Sequence, residues 1–215
     1  KHWPGATVFW QVDISGRVRT GKVMLYNPEN GRRIKEPHNY ITWVHSLLKK
    51  ENFNLRQCLF GEHLLTSDQQ RPVALVESEK SALISSFYLP QYLWIASGGK
   101  NGAFNRDAMS VLLFPDLGAT DYWNSKMEMI RSLGIEVSLF DFMERNATKE
   151  ERDAGYDIAD FLLREETKEA ILNRLITLNP ALKTLVETFD LQLVDVKKAP
   201  FSATVQHARE GLFKR

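Results

Sequence analysis

Cysteine is almost absent from this sequence, since Cys58 is the only one among 215 residues. A single thiol excludes an internal disulfide and any cysteine-rich zinc finger within these residues, and a reducing cytoplasm is the simplest compartment for it. Long apolar runs are missing too: none approaches the length of a membrane span, and no secretory signal is visible. We therefore expect a cytoplasmic protein with no membrane partner.

An excess of charge of one sign is also lacking. The 28 Lys and Arg residues nearly balance the 27 Asp and Glu residues, which leaves a formal net charge of +1. The hydrophobic share of 43% is ordinary for a globular protein, and the length allows one large domain or two small ones. Because the chain opens with Lys1 rather than Met, we expect it to be a fragment of a longer protein.

Two short apolar runs each end in a carboxylate. Val-Ala-Leu-Val precedes Glu77, and Val-Leu-Leu-Phe-Pro precedes Asp116. A continuous apolar run this short predicts a strand that is buried on both faces of a parallel sheet. Open α/β sheets bind their ligands at the carboxyl ends of the strands, so Glu77 and Asp116 are predicted to form a site for a divalent cation.

The chain from residue 72 onward alternates between strand and helix patterns. We predict strands over 73–77, 92–96, 111–115 and 135–140, with helices over about 79–87 and 121–133. Such alternation predicts an α/β fold in which helices flank a parallel sheet. Three units are expected: a small α+β subdomain over 1–71 that opens with a β-hairpin or meander, the α/β domain over 72–165, and C-terminal helices with a basic tail over 166–215.

The most glycine-dense loop spans residues 97–102 and follows the second strand of the predicted core. Its glycines permit close approach of the backbone to a phosphate, and Lys100 offers a positive charge. The spacing matches neither a P-loop nor the dinucleotide fingerprint. A plain strand-to-helix turn would use glycines as well.

Basic residues gather between positions 17 and 35, where Glu29 is the only acid. Aromatic residues (Tyr26, Tyr40 and Trp43) lie within or just beyond this stretch. Basic groups interleaved with aromatic rings suit a nucleic-acid backbone and stacked bases. The alternative is a solvated strand face above core aromatics. The basic residues are Arg17, Arg19, Lys22, Arg32, Arg33 and Lys35.

The order of these motifs resembles the TOPRIM domain of primases, topoisomerases and OLD-family nucleases, over roughly residues 72–165. In that family the first strand ends in a glutamate, like Glu77, and a small-residue loop follows the second strand, like residues 97–99. The third strand ends in Asp-x-Asp, to which residues 116–118 are similar. Primase-like members open a later helix with a segment that residues 157–160, Asp-Ile-Ala-Asp, resemble.

The resemblance implies a primase-like enzyme that makes primers on single-stranded DNA by Mg²⁺-dependent (or Mn²⁺-dependent) nucleotidyl transfer. Nucleotides would be its substrates, and a helicase or an upstream zinc-binding domain its partner. The implied catalytic residues are Glu77, Asp116 and Lys100, and the implied metal ligands are Glu77, Asp116, Asp121, Asp157 and Asp160. Nucleic acid would contact Arg17, Arg19, Lys22, Arg32, Arg33 and Lys100.

One position departs from the family pattern, because Gly118 stands where TOPRIM domains have their second aspartate. We expect this loss to weaken one metal site, with Asp157 or Asp160 compensating. Two other functions stay open: a TOPRIM nuclease that hydrolyses phosphodiesters, and a catalytically degenerate DNA-binding module of a mobile-element or replication protein. A topoisomerase is disfavoured, since no separate tyrosine-bearing cleavage domain is present in these residues.

Overall fold

The computed structural model describes residues 3–49, 51–68, 71–98, 110–164 and 168–193. Its first unit is an antiparallel sheet of β1 (Thr7–Val12), β2 (Val18–Met24) and β3 (Ile41–Trp43), in the order β1-β2-β3. Helix α1 (Val44–Leu48) follows β3 directly. The β-hairpin or meander predicted at the start of the chain is confirmed, because β1 and β2 pair across a turn in which Gly16 has a φ of 75°.

The second sheet has four parallel strands. They are β4 (Val73–Val76), β5 (Leu93–Ala96), β6 (Ser110–Leu113) and β7 (Glu136–Leu139), in the order β5-β4-β6-β7. Helix α2 (Glu79–Tyr88) follows β4, and α3 (Thr120–Ser132) connects β6 to β7. The predicted α/β class, with helices flanking a parallel sheet, is therefore confirmed.

Shorter helices complete the chain. A 3₁₀ helix (Glu62–Thr66) precedes β4, and the helices after β7 are α4 (Phe142–Asn146), α5 (Lys149–Ala154), α6 (Ile158–Leu162), α7 (Lys168–Leu178) and α8 (Ala181–Phe189). The expected C-terminal helices are thus present. Among the described residues, no helix combines the length and the apolar character that a membrane crossing requires.

Both faces of the parallel sheet are buried, which explains why its strands read as continuous apolar runs. Ala74 and Val76 of β4 point to one core, which α2 and α6 cover. Val73 and Leu75 point to the other core, which contains Trp123 of α3. Side chains alternate between the two faces along a strand, so Glu77, the residue after Val76, faces α3.

The segment 59–62 links the N-terminal unit to the parallel sheet. Phe60 forms an antiparallel bridge with Ala96 along the outer edge of β5, and the ring of Phe9 packs edge-on against Phe60 at 5.8 Å. The buried carboxylate of Glu62 accepts hydrogen bonds from the main-chain N–H groups of Ile14 and Leu59, at 3.2 and 3.0 Å. The division into units at residues 71 and 165 stays a prediction.

Two predicted features lie outside the described residues. Most of the glycine loop, including Lys100, belongs to the stretch 99–109, and the basic tail belongs to 194–215. The roles predicted for Lys100 in catalysis and in nucleic-acid binding therefore stay predictions.

Candidate functional site

Glu77 occupies the position directly after β4 and faces α3. Its Oε1 accepts a hydrogen bond from the indole N–H of Trp123 at 2.9 Å, and Glu77 is only 8% exposed. An indole N–H that is buried needs an acceptor, and a carboxylate oxygen is a strong one. Trp123 therefore holds one oxygen of Glu77 in a defined place at the end of the strand.

Asp116 lies at the end of the neighbouring strand. β6 runs parallel to β4 with Val111 opposite Val73, and the pairing continues as the N–H of Phe114 donates to the Leu75 carbonyl at 2.9 Å. The chain then turns at Asp116, whose carbonyl accepts from the N–H of Ala119 at 2.9 Å. The prediction that the two carboxylate residues follow adjacent parallel strands is confirmed.

The backbone conformation of Gly118 explains why a glycine stands at this position. Its φ is +81°, in the left-handed region that favours glycine, because a Cβ atom there is crowded by the backbone. Its N–H donates to the carboxylate of Glu144, in α4, at 2.9 Å. The turn after β6 therefore receives a carboxylate from another element, which no sequence motif indicated.

Glu144 is held by several donors at once. The N–H of Gly118 contributes most to lowering the pKa of its carboxyl, with help from an ion pair to Arg152 and a 3.3 Å hydrogen bond from the Thr120 hydroxyl, against a smaller opposing effect of burial. Since Arg152 balances its charge, Glu144 serves to fix the turn that carries Asp116.

Asp157 and Asp160 form a capping box at the start of α6. Asp157 Oδ1 accepts from the N–H of Asp160 at 3.1 Å, and Asp160 Oδ2 accepts from the N–H of Asp157 at 3.0 Å. The hydroxyl of Ser81, in α2, also donates to Asp157. Burial raises the pKa of Asp157 despite this hydrogen bond. Asp157 is the N-cap residue with an extended backbone, and Asp160 lies in the first turn of α6.

The five predicted metal ligands do not gather into one cluster. Asp121 is exposed in the first turn of α3, and among the described residues no group of three or more His, Cys, Asp or Glu side chains is placed to hold a metal ion. Mg²⁺ is often bound by one or two carboxylates, with waters and substrate phosphates supplying the other ligands. Glu77 and Asp116, which follow adjacent strands, would supply the two carboxylates of this smaller set, and metal binding by them stays a prediction.

Three of the predicted nucleic-acid contacts are paired with acids. Arg17 and Arg19 both donate to Asp13, at 3.0 and 2.7 Å, and Lys22 lies 3.1 Å from Glu79. Burial opposes ionisation of Asp13, but these hydrogen bonds and those from the main chain of Arg17 and Ser15 outweigh it and lower its pKa to about 2. Asp13 and Glu79 thus offset two of these three positive charges within the protein.

Arg32 and Arg33 lie elsewhere, in the lining of an open cleft with a volume of about 580 Å³, which we call the basic cleft. The segment 27–36 forms one side, and residues of α2 and the α5–α6 region form the other. The charged and aromatic members of its lining are Arg32, Arg33, Lys35, Glu36, Lys80, Tyr156 and Asp160.

Backbone connections place the basic cleft beside both strand ends. Lys80 stands three residues after Glu77, in the first turn of α2. The N–H of Leu117, next to Asp116, donates to the carbonyl of Tyr156 at 2.9 Å. Sequence reasoning missed Lys80 and Tyr156, because their positions in the chain gave no sign that they meet the segment 27–36.

These features define an α/β protein that carries carboxylates and a basic cleft at the carboxyl edge of a parallel sheet. Residues 1–117 match the family described as a domain of unknown function (DUF6371), and the chain belongs to this family. Among curated proteins, none matches the chain.

One similar solved structure is that of the Aquifex aeolicus primase, with its zinc-binding and RNA polymerase domains. The sequence identity is 14% and the TM-score is 0.46. The similarity covers 84% of this chain but 45% of the primase chain, so this chain spans less than half the length of that structure.

Proposed function

We propose that this chain is a primase-like domain of the TOPRIM type, which synthesises primers on single-stranded DNA by Mg²⁺-dependent nucleotidyl transfer. The observation that carries the proposal is the placement of Glu77 and Asp116 after adjacent parallel strands, beside a basic cleft. Carboxylates at this edge suit a divalent cation, and cations in the adjoining cleft suit the phosphates that such an ion binds. A helicase or an upstream zinc-binding domain is the proposed partner.

Each residue would have a separate task. Glu77 and Asp116 would hold the metal ion, which when bound supplies positive charge to the reacting phosphate. Trp123 orients Glu77 through its indole N–H, and Glu144 fixes the turn that carries Asp116 through the N–H of Gly118. The cations of the cleft would neutralise phosphate oxygens, because ionised donors make the stronger hydrogen bonds to them.

A second function is favoured by one observation. Gly118 replaces an aspartate of the TOPRIM pattern. Its positive φ and the hydrogen bond from its N–H to Glu144 suit this turn to glycine rather than to aspartate. A site with fewer metal ligands than the family pattern suits a module that binds nucleic acid without catalysis. A nuclease would use the same residues as the primase. Assays of primer synthesis, cleavage and DNA binding separate the primase, the nuclease and the binding module.

The test is primer synthesis by the full chain from ribonucleotides on single-stranded DNA, with Mg²⁺ or Mn²⁺. We expect labelled primers from the wild type and none from Glu77→Gln or Asp116→Asn. Asp121→Asn is the matched control, since Asp121 is an exposed carboxylate in the first turn of α3 and follows neither strand end directly. Metal-dependent cleavage without synthesis would select the nuclease, and binding of DNA without either reaction would select the binding module.

A further inference from the structure

The lining of the basic cleft carries charges of both signs. Four cations face it, but Glu36 and Asp160 belong to the same lining. A nucleic-acid strand carries a phosphate at every nucleotide, so acids along its path would repel it. A ligand with phosphates at one end and uncharged polar groups at the other suits such a mixed lining better.

The size of the basic cleft also favours a small ligand. Its volume of about 580 Å³ falls within the range of about 300–1,000 Å³ that is usual for small-molecule sites. Grooves for single strands follow the backbone over roughly 4–16 nucleotides. The lining also offers the side-chain amides of Asn27 and Asn30, which both donate and accept hydrogen bonds.

Tyr156 is a fixed aromatic side chain in this lining. Its ring contacts the guanidinium of Arg164, 4.4 Å from the ring centroid, and its backbone binds Leu117 and Glu151 at 2.9 and 3.2 Å. A half-buried ring held in this way can stack on a nucleobase. Asp160 lies in the same lining, and its carboxylate can accept from a sugar hydroxyl or a base amino group.

We propose that the basic cleft binds one nucleoside triphosphate, with its phosphates against Arg32, Arg33 and Lys80 and its nucleoside against Tyr156 and Asp160. This inference rests on the proposed function and deepens it, because it assigns the nucleotide substrate to a cleft that adjoins Glu77 and Asp116. The sequence indicated two of these cations but neither Lys80 nor Tyr156.

The experiment is calorimetric titration of the full chain in the absence of divalent metal. The ligands are ATP, inorganic triphosphate and an oligothymidylate of twelve nucleotides. We expect ATP to bind more tightly than either of the other two. Arg33→Gln should weaken binding of both ATP and triphosphate by about tenfold, the effect of losing one charge-assisted contact. Tyr156→Leu should weaken the binding of ATP but not of inorganic triphosphate, because triphosphate has no base to stack on the ring.

Arg145→Gln is the matched control, because this exposed arginine of α4 is paired with Asp141, lies outside the lining of the basic cleft and should leave all three affinities unchanged. Thermal melts of each variant confirm that it is folded. The proposal is overturned if ATP does not bind, if the oligonucleotide binds more tightly than ATP, or if Tyr156→Leu weakens ATP and triphosphate equally.

Primer synthesis distinguishes failure of this inference from failure of the proposed function. ATP binding with the expected variant pattern, but no synthesis, would retain the nucleotide cleft and reject the primase. Synthesis that neither Arg33→Gln nor Tyr156→Leu impairs would retain the primase and reject the cleft as its nucleotide site.

Discussion

The ammonium group of Lys22 lies 3.1 Å from Glu79 Oε2 and donates a second hydrogen bond to the Gly98 carbonyl at 3.2 Å. Lys22 belongs to β2, Glu79 to the first turn of α2, and Gly98 to the segment after β5. The side chains of Lys22 and Glu79 are only 14% and 2% exposed. Lys22, which was predicted from the sequence to contact nucleic acid, therefore joins the antiparallel sheet to the parallel sheet.

Removing this cation should destabilise the fold. Lys22→Met keeps the apolar stem but leaves the Glu79 carboxylate buried without its partner, which costs about 3–5 kcal/mol in comparable pairs. Urea unfolding measures the loss. The double variant Lys22→Met/Glu79→Gln should recover most of it, because no uncompensated charge remains. Arg145→Met, at an ion pair with Asp141 in which both side chains are exposed, should change stability by less than about 1 kcal/mol. A Lys22→Met protein as stable as wild type would refute the role of this pair.

Asp13 should make the stability of the folded protein depend on pH in the acidic range. Its pKa in the folded protein is about 2, below the ordinary value of 3.8, so the unfolded chain binds its proton more readily. The stabilisation is present above about pH 4 and is lost as the pH falls toward 2. Thermal melts between pH 5 and pH 2 should show a steeper decline in wild type than in Asp13→Asn. Parallel declines in the two proteins would show that Asp13 makes no such contribution.

A metal ion bound at Glu77 should stabilise the folded state, because a ligand that binds only the native protein raises its melting temperature. Millimolar Mn²⁺ should raise the melting temperature of wild type and of Asp121→Asn, whereas Glu77→Gln should lose the gain. The amide oxygen introduced by Glu77→Gln can still accept from Trp123, so the apo protein should keep its stability. Equal shifts in wild type and Glu77→Gln would exclude Glu77 as a ligand.

Asp157 should act as a cap rather than as a metal ligand. Burial raises its pKa, so its ionised form destabilises the folded state at pH values above its ordinary pKa. Asn is also a good N-cap residue, so Asp157→Asn should match or exceed wild-type stability at pH 7, while Asp157→Ala should lose about 1 kcal/mol. Thermal melts at pH 7 compare the three. If Asp157→Asn abolished the Mn²⁺ gain, Asp157 would belong to the metal site.

The sequence by itself determined the parallel sheet and the placement of its two strand-end acids. Val73 to Val76 are all buried, because α2 covers one face of β4 and α3 the other, and this double burial is recorded directly in the run of apolar residues. The abrupt change to Glu77 marks where the strand leaves the core. Local patterns of this kind report burial and backbone conformation, which neighbouring residues largely decide.

The tertiary structure alone decided which charges meet. Nothing near Lys22 in the chain indicated Glu79, which is 57 residues away, and nothing near Gly118 indicated Glu144, which is 26 residues away. The same holds for the basic cleft, where Lys80 and Tyr156 complete a lining that begins at residue 27. Ion pairs and clefts depend on how separate elements pack, and a side chain finds its partner through space, so a pattern of neighbours along the chain cannot report it.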